Sequence, residues 1–306
     1  MSNALPFDPH TDRLIELAFA EDFAGGGAGA AGDVTSLSCI DPDTEAHAVV
    51  VAKQDLVLAG ISVFARVFGL LDSSLRMRAL RKDGDKVKKG ASVLEISGNA
   101  RNLLLGERTA LNFLQRLSGV ATKTNEAVVA LEKFPGTRLL DTRKTTPGFR
   151  ALEKAAVKAG GGTSHRAGLF DGVMIKENHI VAAGGIQEAV RRARRASHHL
   201  VKIEVETESL AEVQIALDAG ADCIMLDNMS TPLLEEAVAL CRQSEAKTQR
   251  PTLLEASGNM SIPRLPEVAA CGVDFISVGA LTHSADAADL SLLLSLKPHE
   301  TGEIAS

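Results

Sequence analysis

The chain has 306 residues, 45% of them hydrophobic, enough apolar material for one large domain or two modest ones. With no Trp or Tyr and 3% aromatics it offers no stacking platform for nucleic-acid bases, and a net charge of −6 argues against a general nucleic-acid binder. The four cysteines, Cys39, Cys223, Cys241 and Cys271, form no CxxC pair, which points to free thiols rather than a zinc site or a redox dithiol.

The opening MSNALPFDPH is polar and carries no secretory pattern. The longest apolar stretch, 56–71, is interrupted by Arg66 and two glycines and is too short to span a bilayer, so a cytoplasmic chain is expected. Residues 11–21 predict a first helix. Residues 25–32 are a glycine-rich loop; a glycine run cradles phosphate only between a strand and a helix, and neither is evident here. Residues 46–59 and 75–97 read as β segments. The DGDKVKKG run at 83–90 resembles the turn of a biotinyl-type hairpin, but no Met-Lys-Met follows and the turn is read as structural.

Residues 102–133 predict a long helix with apolar positions at Leu103, Leu111, Leu114, Leu117, Val120 and Val128. Six short apolar runs follow, at 138–142, 172–176, 201–206, 222–227, 252–257 and 273–279. Amphipathic stretches lie between them. One carries Ile186, Ala189, Val190 and Ala193; another carries Leu210, Val213, Ile215 and Leu217 and closes at Gly220. Buried runs alternating with helices imply a parallel sheet, as a barrel or an open doubly wound sheet. A barrel is favoured because each run ends on a polar or small group: Arg143-Lys144, Lys176, Glu206, Asp227, Ser257-Gly258 and Gly279. In a barrel these ends meet at one mouth; in an open sheet the outer ones stay apart.

Between Arg143 and Lys176 there are seven basic residues and two acidic ones, a local reversal of sign in an acidic chain. Lys154 and Lys158 read as a solvated helix face, as do Arg191, Arg192, Arg194, Arg195, His198 and His199. Arg143, Lys144 and Lys176, at strand ends, call for an anionic ligand, and His165-Arg166 sits in a loop where a ligand role is open. Glu206 and Asp227 are carboxylates placed to hold ribose hydroxyls, a magnesium ion or developing positive charge, or to pair with nearby lysines. The small turns Ser257-Gly258-Asn259 and Val278-Gly279-Ala280 follow the last two strands, where barrels often hold phosphate. This profile fits group transfer between anions.

The blocks RTALNFLQRLSGVATKT (108–124), DTRKTTPGFRALEKAAVKAGGGTSHRAGLFDGVMIKENHI (141–180), KIEVET (202–207), IMLDNM (224–229), EASGNM (255–260) and ISVGALTHSA (276–285) closely resemble quinolinate phosphoribosyltransferase, and Asp33-Val34-Thr35-Ser36 looks like its N-terminal signature. The resemblance implies an α/β sandwich domain at 1–115, with 286–306 packing back on it, and an open, seven-stranded, TIM-like α/β barrel at 116–285. It implies transfer of phosphoribosyl to quinolinate with decarboxylation, in a homodimer or an assembly of dimers. Arg143, His165, Arg166 and Lys176 would hold the quinolinate carboxylates, with Arg108 arriving from the partner chain. Lys144, Glu206 and Asp227 would be the catalytic contacts to phosphoribosyl pyrophosphate and its magnesium, with Thr142 beside them. Ser257 to Asn259 and Val278 to Ala280 would cradle the 5′-phosphate, near His283. The glycine-rich stretch at 25–32 looks longer than the family's usual turn. Two rivals stand beside this reading: a paralogue with another anionic substrate, and a non-catalytic anion sensor, which would gain nothing from Glu206 and Asp227.

Overall fold

A computed structural model of the chain describes residues 9–23 and 32–296. The glycine-rich stretch falls, except for Gly32, outside the described residues, as does the end of the C-terminal segment expected to pack back. The chain forms two compact units, one of residues 1–122 and 285–306 and one of residues 123–284. The division falls later than 115/116 because Ser118 and Thr122 are tied into the first unit. Their hydroxyls accept from the Ala59 and Val57 amides at 3.1 and 2.9 Å. Among the described residues no helix is long and apolar enough to cross a membrane.

The first unit opens with helix α1 (Pro9–Asp22), which buries Ile15 and Phe19. Helix α2 (Val34–Cys39) is capped by Asp33, whose carboxylate accepts from the Thr35 amide. Strand β1 (Glu45–Ala52), the two-residue β2 (Leu56–Val57), helix α3 (Ile61–Leu71), β3 (Arg76–Ala79), β4 (Lys86–Val87) and β5 (Ser92–Asn99) follow. The expected β segments are thus broken into short strands. The 83–90 turn holds Gly84 and Gly90 at positive φ and carries the β2–β4 pairing. Helix α4 (Ala100–Ala130) begins in this unit and ends in the second. Gly106 matters here: a Cβ on it would come within 2.6 Å of the buried Phe68 ring, so its absence lets α3 and α4 close up.

The second unit alternates strands and helices: β6 (Arg138–Leu140), α5 (Arg150–Ala159), β7 (Val173–Ile175), α6 (Glu177–Ala183), α7 (Ile186–Ala196), β8 (Ile203–Thr207), α8 (Leu210–Ala219), β9 (Cys223–Asp227), α9 (Thr231–Thr248), β10 (Leu253–Ser257), α10 (Leu265–Ala270), β11 (Phe275–Ser277) and α11 (Ala280–His283). Strand β12 (Leu290–Ser295) then returns to the first unit as the outer antiparallel partner of β1, completing the order β12-β1-β5-β3. The six apolar runs are the six parallel strands, in the order β6-β11-β10-β9-β8-β7. The seventh expected strand is reduced to a single parallel bridge, Leu140 to Thr163. Among the described residues no ladder joins β7 to β6, so the barrel is open.

The helices follow the sequence pattern. Helix α7 buries Ile186, Ala189 and Val190 and points Arg191 and Arg192 at Glu188, whose carboxyl they pull down to about 2. Helix α8 is closed by a Ser209–Glu212 capping box and a left-handed Gly220. Ile215 departs from the expected face: Val213 and Ala216 are buried, while Ile215 is exposed. Lys158 is solvated as expected, but Lys154 is not. Lys154 is buried and pairs with Asp141, itself fully buried at the end of β6. The same carboxylate accepts from the His165 amide at 2.8 Å, so this pair anchors the 163–172 loop.

Candidate active site

The strand ends of the second unit surround one cavity of about 740 Å3. The segment after β6 contributes Thr142, Arg143 and Lys144, and the 163–172 loop contributes His165 and Arg166. Met174 and Lys176 come from β7 and its end, Glu206 from β8, and Met225 and Asp227 from β9. From β10 and its turn come Glu255, Ser257, Gly258, Asn259 and Met260; from β11 and α11 come Ser277, Gly279, Ala280 and His283. Two expected site residues are not in this lining. Val278 is buried, with its amide donating to the Leu140 carbonyl at 3.0 Å. Arg108 is exposed on α4, within the first unit.

Strand alternation explains the placement. In a barrel strand, residues i and i+2 share a face. Met225 and Asp227 line the cavity together, as do Glu255 and Ser257. The same spacing puts Glu204 with Glu206, deeper in the barrel. Glu204, Glu255 and Ser277 were not singled out from the sequence. The available signal was a carboxylate two positions before a strand-end polar group, in EVE and EAS.

The cations crowd together. Arg143 has a buried Nε with no hydrogen-bond partner. Burial depresses the Arg166 pKa, and the neighbouring Arg143 charge depresses it further. Arg166 is held in place by its Nη1, which donates to the Gly172 carbonyl at 3.0 Å. Lys176 pairs with Glu206, so these two partly neutralise each other. Lys144 is fixed at its backbone: its amide donates to Thr142 Oγ1 at 3.0 Å, and Thr282 Oγ1 donates to its carbonyl at 2.9 Å. Its stem passes close over Gly279, where a Cβ would lie 3.0 Å from Lys144 Cδ.

His165 is held on both sides. The Arg166 amide donates to Nδ1 at 2.6 Å, while Nε2 lies 3.3 Å from Glu204 and 3.4 Å from Glu255. Burial opposes charging the ring, but the bonds to Glu204 and Glu255 overcome it and lift the pKa to about 10. Both nitrogens are therefore engaged within the protein.

Beyond β9 and β10 the backbone turns sharply. Asn228, Gly258 and Asn259 all have positive φ, and Asn259 Nδ2 donates to Asn228 Oδ1 at 3.2 Å. Asn228 Nδ2 also donates to Asp227 Oδ2 at 2.6 Å, which orients that carboxylate.

Residues 33–118 match the N-terminal domain, and residues 120–293 the C-terminal domain, of the quinolinate phosphoribosyl transferase family. A probable nicotinate-nucleotide pyrophosphorylase (carboxylating) of Bacillus subtilis strain 168 is 43% identical over 291 residues, covering 95% of this chain and 96% of that one. A chloroplastic nicotinate-nucleotide pyrophosphorylase (carboxylating) of Arabidopsis thaliana is 42% identical, with 91% and 81% covered. The solved structure of the nicotinate-nucleotide pyrophosphorylase from Francisella tularensis superposes with a TM-score of 0.86 at 39% identity, covering 96% of this chain and 100% of that one.

Proposed function

The chain belongs to the quinolinate phosphoribosyltransferase family, and from that membership we infer how the barrel mouth divides the family's reaction among its residues. The reaction transfers phosphoribosyl from phosphoribosyl pyrophosphate to quinolinate with decarboxylation, giving nicotinate mononucleotide, pyrophosphate and CO2 for de novo NAD synthesis. The observation that carries the assignment of roles is the unpartnered Arg143 Nε beside Arg166. Two mutually repelling guanidiniums with an unused donor suit a ligand carboxylate, which accepts from both. Arg143, Arg166 and Lys176 hold the two carboxylates of quinolinate, with His165 beneath them.

The pyridine nitrogen then attacks the ribose anomeric carbon as pyrophosphate leaves. Positive charge grows on the ribose, and Glu206 and Asp227, at adjacent strand ends, stabilise it. Lys144 faces the departing phosphates. The turns at 257–259 and 279–280 offer backbone N–H groups to the 5′-phosphate, near His283. Glu206 and Asp227 also fit magnesium, since both present hard carboxylate oxygens. When bound with the pyrophosphate, magnesium neutralises charge on the leaving group.

We further propose a homodimer, alone or within a larger assembly, in which Arg108 serves the partner's site. Its exposed position in the first unit supports this. Free thiols at Cys39, Cys223, Cys241 and Cys271 support a reducing, cytoplasmic location.

The test is formation of nicotinate mononucleotide from quinolinate, phosphoribosyl pyrophosphate and magnesium, compared with nicotinate as acceptor. A site built for two carboxylates strands a buried cation when one is missing, so kcat/KM for nicotinate should be lower by about a thousandfold or more. Comparable turnover of the two acceptors would refute this reading of the cations.

A further inference from the structure

Loss of CO2 from C2 of the pyridine leaves an electron pair on that carbon, and a proton must replace the carboxylate. None of the roles assigned above supplies it. Glu255 has the features such a donor needs. It projects from β10 into the cavity two residues before Ser257, and it is 2% exposed. Its Oε2 lies 3.4 Å from His165 Nε2, while its Oε1 has no hydrogen-bond partner. A buried carboxyl oxygen without a partner suits the protonated acid better than the carboxylate, whose desolvation would go uncompensated.

Glu255 also borders a second cavity, of about 330 Å3, at the opposite mouth of the barrel. That cavity is lined by residues at strand starts, including Arg138, Val173, Cys223, Leu253 and Phe275. Among the described residues only His165, Arg166 and Glu255 line both. Glu255 thus has a substrate side and a separate side from which it can regain a proton.

We propose that Glu255 is the acid that protonates C2 of the pyridine ring after CO2 departs, a role that rests on the reaction assigned above. Once N1 is bonded to the ribose, the C2–carboxylate bond breaks and CO2 leaves. The electron pair remains on C2 beside the cationic nitrogen. That pair takes the proton from Glu255, forming the C2–H bond and leaving Glu255 as the carboxylate. Water in the second cavity returns a proton to Glu255 before the next turnover. Burial lifts the Glu255 carboxyl above its usual range against the pull of His165 and Ser277, and the charge of Glu204 adds to the lift.

Microscopic reversibility supplies the test. In the product complex the Glu255 carboxylate is the base that removes the C2 proton. The enzyme is incubated in H2O with magnesium, pyrophosphate and nicotinate mononucleotide carrying deuterium at C2, and loss of deuterium is followed by NMR. Wild type is expected to release deuterium well above the protein-free rate. Glu255→Gln should lose that exchange by about a hundredfold or more while binding nicotinate mononucleotide with unchanged affinity by calorimetry, and Glu255→Asp should recover part of it. Absence of exchange by wild type, or exchange by Glu255→Gln at the wild-type rate, overturns the proposal. Quinolinate turnover by wild type is measured alongside. Its failure would sink the assigned reaction, whereas turnover without C2 exchange sinks only the role of Glu255.

Discussion

Lys154 shows how far a single side chain can depart from its local pattern. On α5 it reads as one of several solvated bases, yet it is buried against Asp141. Removing one member of a buried pair strands the other, so Lys154→Met should lower unfolding free energy by about 3–5 kcal/mol in urea titration near neutral pH. Burial already raises the Asp141 pKa, although Lys154 and the His165 amide pull it down. Without Lys154 the folded state holds the Asp141 proton still more tightly than the unfolded state does. The deficit should therefore shrink as pH falls toward the carboxylate range and grow as it rises. A loss under about 1 kcal/mol at every pH would show that the pair is not an anchor.

Glu206 and Asp227 make the opposite case, in which position at a strand end was enough to mark them. If they stabilise charge on the ribose, Glu206→Gln and Asp227→Asn should each raise the barrier by about 2–4 kcal/mol while quinolinate affinity barely moves. Near-normal kcat with lost quinolinate affinity would reassign them to the pyridine.

Among the elements, the turns after β9 and β10 are as decisive as the strands. Gly258 has φ +89°, and a Cβ there would collide with Asn228 Oδ1. Gly258→Ala should shift both turns at once, because Asn228 is bonded to Asn259 and to Asp227. The expected result is a fall of tenfold or more, on the order of 1.5–3 kcal/mol, in kcat/KM for phosphoribosyl pyrophosphate. Quinolinate affinity, measured by calorimetry, should hold, and a selective loss of it would contradict the phosphate role of these turns. The strands themselves were legible because a buried parallel strand reads as a continuous apolar run. The bridge at Thr163 was not, because one paired residue leaves no run to read.

At the scale of the whole molecule, the proposed sharing of sites between chains is tested by complementation. Arg108→Ala and Lys144→Ala should each abolish most activity alone. Mixed with subunit exchange, each heterodimer has one site with both defects and one with neither, so random pairing should restore about a quarter of wild-type activity. No recovery, with exchange verified by mass spectrometry, would place Arg108 in its own chain's site or outside any site.

The sequence by itself determined the alternation of strands and helices and, through its long matching blocks, the reaction. It also marked the polar groups at the strand ends, because apolar runs and their boundaries are local properties. Only the tertiary structure decided that Lys154 is buried against Asp141, that the seventh strand shrinks to one bridge, and that Glu204 and Glu255 enclose His165. Each of these depends on residues far apart in the chain. The period-two alternation of a short strand names a face but not what that face meets, and the neighbours across a barrel are set only when the sheet curves.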